Sequence, residues 1–149
     1  MGYVEDLRAL VGHRPLIFVG SVAIVTDDQD RILLQQRTSP YGVWGLPGGL
    51  MELGESTEEV AKREVYEESG LSIDDLHLLN VYSGKDHFIR AENGDEFYVV
   101  TTAYYTRSFS GEMNVDPEES IQFKFVPADR LPEKMIGSHR AMLNEYLKK

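Results

Sequence analysis

The sequence predicts an α/β fold in one domain. Three observations lead there. Segments with apolar residues at helical spacing alternate with β-branched runs, in the order helix, hairpin, acidic helix, strands, helix. A chain of 149 residues, 42% hydrophobic and 27% charged, suits a single core large enough to fold unaided. No repeat, low-complexity tract or linker divides it. The domain is expected to span 1–149, with 1–14 as an N-terminal helical extension.

From Tyr3 to Val11, the residues Val4, Leu7, Leu10 and Val11 recur at helical spacing, and Gly12 with Pro15 ends the segment. This helix either packs on its own domain or forms a dimer contact. Its polar face is not basic, which argues against an interfacial membrane helix. Leu16 to Thr26 reads as a buried strand, and Asp27 to Asp30 turns it into a second strand, Arg31 to Arg37, giving a hairpin. Thr38 to Gly42 is a loop in which Tyr41 is open to stacking on a base or to covering the sheet edge.

Ser56 is a good N-cap with Glu59 completing a capping box, and Gly70 supplies a left-handed stop, so the acidic helix runs from Thr57 to Ser69. Asp74 to Ser83 reads as a strand. Asp86 to Arg90 and Glu96 to Thr106 pair around an Asn93-Gly94 turn. Weak alternation from Phe97 to Tyr105 suggests burial on both faces of the longer strand. Ser108 to Pro117 is a polar turn region, and Ile121 to Val126 is a strand stopped by Pro127. Ser138 is expected to cap a closing helix from His139 to Leu147, leaving His139 and Arg140 on the surface.

The acidic helix carries the chemistry. At about 100° per residue, Glu64, Glu67 and Glu68 share one face, and the arc of Val60, Ala61 and Val65 overlaps it. The three carboxylates are therefore expected to turn away from solvent. Glu58 with Lys62 and Glu59 with Arg63 are ordinary i,i+4 pairs on the solvated side. Like charges stacked beside an apolar edge repel and lose hydration, a cost that a bound cation relieves. Oxygen ligands without cysteine or paired histidines favour Mg²⁺ or Mn²⁺ over zinc.

From Gly49, five residues lead to Glu55 and seven more to Arg63, followed by Glu64, Val65, Tyr66, Glu67, Glu68, Ser69, Gly70 and Leu71. This resembles a complete Nudix box, matched at every defined position, and the preceding Trp44-Gly-Leu-Pro-Gly-Gly49 also resembles that family. The resemblance, together with the order of elements, implies the Nudix fold, an α/β/α sandwich around a mixed β-sheet, and a hydrolase that attacks phosphorus with water, using Mg²⁺, for which Mn²⁺ can substitute. Its substrates would be nucleoside diphosphates linked to another moiety: a nucleoside triphosphate, dinucleoside polyphosphate, ADP-ribose or nucleotide sugar. Position by position it implies that Glu64, Glu67 and Glu68 bind metal, that Arg63 and Glu55 form an orienting ion pair, and that Gly48 or Gly49 lends a carbonyl to the metal.

By the same resemblance Arg37, which closes the strand before the box, faces phosphate, and Trp44 belongs to the core or the site wall. A further catalytic glutamate is expected near the last strand. Glu112, Glu118 and Glu119 are candidates with Asp116 close by, and Glu119 adjoins the strand. Lys85 and His87, with Arg90, gather the best local positive charge for a phosphate or terminal group. Two other readings share these residues: hydrolysis at the 5′ end of RNA, and a nucleotide-sensing domain that no longer cleaves. Loss of a box carboxylate would favour sensing, and none is lost.

The formal charge of −10 argues against non-specific nucleic-acid or anionic-membrane binding, so phosphate must be met locally. The absence of cysteine excludes disulfides and thiol chemistry and suits a reducing compartment. Glu5 and Asp6 stand where a signal peptide is basic, which points to the cytoplasm. The partner is expected to be a small nucleotide, with a homodimer left open.

Overall fold

In chain order the elements are α1 (Tyr3–Val11), β1 (Leu16–Val25), β2 (Arg31–Arg37), β3 (Trp44–Gly45), β4 (Gly48–Leu50), α2 (Thr57–Ser69), β5 (Ser72–Asp74) and β6 (His77–Tyr82). They continue with β7 (Phe88–Arg90), β8 (Glu96–Thr106), β9 (Ser108–Ser110), β10 (Ser120–Pro127) and α3 (Gly137–Leu147). The computed structural model describes residues 2–149.

β1 is the centre of the arrangement because both of its faces are apolar. Successive side chains of a strand point to opposite sides. Val22 and Ile24 join Met142 and Leu143 of α3 in one core cluster, whereas Ala23 and Val25 join Val65 of α2 in another. One helix therefore covers each face, which is the α/β/α layering. The strand order is β4-β1-β8-β6, with β7 also on β8. β1 and β8 run parallel from Leu16↔Phe97 to Val25↔Thr106, and the other pairs are antiparallel, so the sheet is mixed. A second sheet has the order β10-β2-β3, and β5 pairs with β9.

The structure corrects several expectations. β1 and β2 do not form a hairpin ladder: only Thr26 and Ile32 bridge, and the strands diverge into different sheets. Both edges of β1 are already taken by β4 and β8. The Asp27 carboxylate holds the bend instead, accepting from the N–H of Gln29 and from Arg31 N–H and Nε. The strand expected over Asp74 to Ser83 breaks into β5 and β6 at Asp75, whose φ of 54° is left-handed. The turn region after Ser108 opens with β9. β8 is closely covered only in its second half, from Thr101 onward. Ser138 does not cap α3. The helix starts at Gly137 with Ile136 as N-cap, and its approach is pinned where Ile136 N–H donates to Trp44 O and Trp44 N–H to Lys134 O.

Candidate active site

β4 and α2 face one another through two glycines. Ala23 N–H donates to Pro47 O and Met51 N–H to Val19 O, on either side of the Val22↔Gly48 and Ser21↔Gly49 pairs. Bonded and unbonded pairs alternate along an antiparallel ladder. That alternation assigns the Gly49 carbonyl to β1 and turns the Gly48 N–H and carbonyl away from it, toward α2. The Gly48 N–H meets Glu68 Oε1 at 3.2 Å. A Cβ at Gly48 would strike the Ser21 carbonyl, and one at Gly49 would strike the Glu64 carboxylate. Glycine at the two positions keeps β4 close to the backbone of β1 and to the Glu64 carboxylate of α2.

α2 is set by its ends as the sequence predicts. Ser56 Oγ accepts from Glu59 N–H, Glu59 accepts from Ser56 N–H, and Gly70 is left-handed. Its carboxylates, however, differ in environment. Glu68 is buried at 7% exposure, the Glu64 side chain is 17% exposed, and that of Glu67 is 55% exposed. The expectation that all three turn away from solvent therefore fails for Glu67. On the helical wheel Glu68 lies between Val60, Ala61 and Val65, whereas Glu67 lies about 100° from Glu68 on the far side of Glu64.

Arg63 organises this surface. It donates to both oxygens of Glu55 at 2.6 and 2.9 Å, to Glu64 at 2.7 Å, to Glu67 at 3.4 Å and to Leu50 O at 3.1 Å. The guanidinium holds the Glu55 carboxyl below its usual range, and the carboxylates in turn raise the pKa of Arg63. Burial pushes the Glu68 carboxyl up to about 8, and the charges of Glu64 and Glu119 add to this. The Gly48 N–H and the Arg37 charge pull the other way. Glu64 is also raised, chiefly by burial, against the pull of Arg63.

Glu64 and Glu68 open onto a cleft of about 540 Å³. Gly48, Gly49, Arg37, His87, Glu118 and Glu119 line it with them. Arg37 is the one lysine or arginine among the lining residues, and its Nε is buried without a hydrogen-bond partner among the described residues. Burial lowers its pKa, and Glu68 offsets part of that. At the other end Phe88, Ile89, Phe97 and Val99 form an apolar wall.

Trp44 and Lys85 do not line the cleft. Trp44 packs against the core cluster beneath α3, and Lys85 is exposed. Arg90 is also turned away, paired with Glu96 at 3.2 Å. Glu112 lies at the far end of α2, with its carbonyl against Gly70.

His139, expected on the surface, is buried: its Nδ1 accepts from Leu46 N–H at 2.9 Å and it lines the cleft. Burial, with the Arg37 charge, lowers its pKa to about 3, so it is neutral. The sequence pattern also leaves Gln35 unmarked. Gln35 is buried, donates to Ser120 Oγ at 2.6 Å and reaches Glu68 at 3.4 Å. A polar residue following Ile32, Leu33 and Leu34 in a buried strand is the signal that points to it.

The donor set fits a hard divalent cation in part. Two partly desolvated carboxylates on adjacent turns, with an outward backbone carbonyl at Gly48 and a further carboxylate at Glu119, are oxygen ligands whose mutual repulsion a cation relieves. Among the described residues, no three acidic, histidine or cysteine side chains converge tightly enough to hold an ion as they stand. Glu67 does not line the cleft, and Arg63 reaches both it, at 3.4 Å, and Glu64, at 2.7 Å.

The sequence pattern of the NUDIX domain matches residues 17–146. An ADP-ribose pyrophosphatase of Methanocaldococcus jannaschii is 29% identical over 84% of this chain and 70% of its own length. A MutT-like protein of Streptomyces ambofaciens is 44% identical over 85% of this chain and 75% of its own length. Among solved structures, the MutT NUDIX hydrolase from Burkholderia pseudomallei is 32% identical with a TM-score of 0.74, covering 87% of this chain and 98% of that one. Among the described residues no helix is long and apolar enough to cross a membrane.

Proposed function

The chain belongs to the NUDIX family of hydrolases acting on pyrophosphate bonds, and from that premise we propose that it is a metal-dependent pyrophosphohydrolase of small nucleoside diphosphate derivatives. One observation carries this reading. The half-buried Glu64 and buried Glu68 face the Gly48-Gly49 backbone in the same cleft as Arg37, whose buried Nε lacks a partner among the described residues.

Glu64, Glu67 and Glu68 with the Gly48 carbonyl are the residues that would hold Mg²⁺, or Mn²⁺ in its place. The bound ion would neutralise pyrophosphate charge and acidify a water molecule. Arg37 meets phosphate oxygen with a fixed cation in a desolvated site, where its charge acts strongly. Arg63 and Glu55 orient Glu64 and Glu67 and tie the loop to the helix. Glu119, which lines the cleft, adds a carboxylate that can take a proton from water. The apolar end, with Phe97 and Val99, receives the nucleoside, and His87 lies beside it. His139 stays neutral and holds the Leu46 backbone, so it shapes the floor and moves no proton.

The relative that hydrolyses ADP-ribose supports a nucleotide linked through a diphosphate as the substrate class. The test is product identification. Purified protein with Mg²⁺ is offered nucleoside triphosphates, dinucleoside polyphosphates, ADP-ribose, nucleotide sugars and 5′-triphosphate RNA. One substrate cut within its pyrophosphate, and spared by Glu68→Gln, is the expected result. Survival of every substrate with both Mg²⁺ and Mn²⁺ would contradict the hydrolytic reading.

A further inference from the structure

α1 precedes the segment matched by the family, residues 17–146, yet it is bonded both to the loop that follows β4 and to the start of β8. At its N-terminal end Tyr3 N–H donates to Glu52 Oε1 at 2.9 Å. That carboxylate belongs to the loop joining β4 to α2 and satisfies a first-turn N–H where the helix dipole favours an anion. Glu52 N–H in turn donates to Glu55 Oε1 at 2.9 Å, the carboxylate that grips Arg63.

At the other end Arg8 donates to three carbonyls: Gly12 at 3.0 Å, Arg14 at 2.7 Å and Glu96 at 2.6 Å. Glu96 N–H donates back to His13 O at 3.2 Å. Asp95 closes the junction, 3.6 Å from Arg8 Nε and 2.7 Å from His13 Nδ1. Between the two ends, the Arg8 guanidinium lies over the Phe18 ring at 5.4 Å, and Phe18 packs on Phe97 with ring centroids 5.3 Å apart. Phe97 lines the cleft.

Glu96 pairs with Arg90 at the turn of the β7–β8 hairpin, and β7 has β8 as its sheet neighbour. At that end the ladder continues across β8 to β1, where Leu16↔Phe97 pairs, and Arg8 ties the turn to α1 with a planar donor fork, which loses little freedom per bond formed.

We propose that α1 is a brace setting the distance between the hairpin wall and the glutamate wall, with Arg8 as a positioning residue for the nucleoside end of the substrate. This rests on the reading that phosphates lie toward Glu64 and Glu68 and the nucleoside toward Phe97. Arg8 touches no ligand. It acts through Glu96 and through the Phe18–Phe97 contact.

Binding without turnover separates this role from general stability. Calorimetry with Mg²⁺ present would compare adenosine and guanosine 5′-(α,β-methylene)diphosphate with inorganic pyrophosphate, on the full chain. Arg8→Met keeps an unbranched stem and removes the guanidinium, with its donors and its contact over Phe18. It is expected to weaken the nucleotide that binds wild type best by about tenfold while pyrophosphate changes by less than about twofold. Glu52→Ala, at the opposite attachment, should show the same selectivity, and Leu10→Ser on the exposed face should change neither ligand. Equal weakening of both ligands, no weakening of either, or a wild type that binds no nucleotide would overturn the brace. A chain that shows the selective loss yet hydrolyses nothing keeps the brace and removes the hydrolytic reading.

Discussion

Arg63 grips Glu55 through two hydrogen bonds, Nε to Oε2 at 2.6 Å and Nη2 to Oε1 at 2.9 Å, while its third nitrogen faces Glu64 at 2.7 Å. One guanidinium thus fixes the loop before α2 to the carboxylates on it. Lysine carries the charge but not the fork. Arg63→Lys should therefore keep the fold and lower kcat/KM by about 10- to 100-fold, the usual cost of losing a group that orients ligands. Thermal unfolding alongside steady-state kinetics checks this, and wild-type kinetics would mean that Arg63 orients nothing.

The two glycines of β4 should fail differently. A Cβ at Gly48 meets the backbone of Ser21 and Val22, whereas one at Gly49 meets the movable end of Glu64. Gly48→Ala should destabilise the protein by roughly 1–3 kcal/mol, in the range of overpacking. Gly49→Ala should leave the thermal midpoint nearly unchanged and cost turnover, because the displaced group is a reactive carboxylate. The reverse order of midpoints would show that the strand and helix are spaced otherwise.

Burial of Glu68 gives metal-free protein a definite pH dependence. Its folded pKa of about 8 lies above the ordinary 4.5, so between those values the folded state keeps a proton that the unfolded state has lost. The Glu68 contribution to stability is full below the lower value and is lost as pH rises through the upper one. In chelator, Glu68→Gln should therefore be the more stable protein at pH 8, with a midpoint higher by at least about 2 °C. Mg²⁺ should reverse the order by binding wild type with proton release. A variant less stable than wild type in chelator at pH 8 would contradict this electrostatic picture.

Lys62 tests the rotation of α2. Its side chain lies on the outer face, 3.7 Å from Asp74 and 44% exposed. Lys62→Ala should change stability by less than about 0.5 kcal/mol and leave turnover unaltered. A large catalytic loss would place the wrong face of the helix in the cleft.

Local signals made α2 readable, because its start and stop are written in neighbouring residues. Ser56, Glu59 and Gly70 place it from Thr57 to Ser69 in both the sequence and the structure. The apolar and β-branched run of β1 likewise announced a buried strand. Pairing was less legible: the turn at Asp27 looks like a hairpin turn, and only the prior claim of β4 and β8 on the edges of β1 sends β2 elsewhere. The depth of the carboxylates was legible to within a face but not to a residue. Glu67 and Glu68 are neighbours in the chain but about 100° apart on the wheel, and contact with β4 leaves one exposed and the other buried. His139 was hidden for a related reason, since its partner, the Leu46 N–H, lies 93 positions away.

The most direct test uses metal-stripped wild type, Glu64→Gln and Glu68→Gln, each assayed on the preferred substrate with and without added Mg²⁺. Wild type should be inert in chelator and recover on addition of the ion, and both variants should stay at least about 100-fold slower at saturating Mg²⁺. Full turnover in chelator, or near-normal activity in both variants, would contradict a metal-dependent centre built on the Glu64–Glu68 pair.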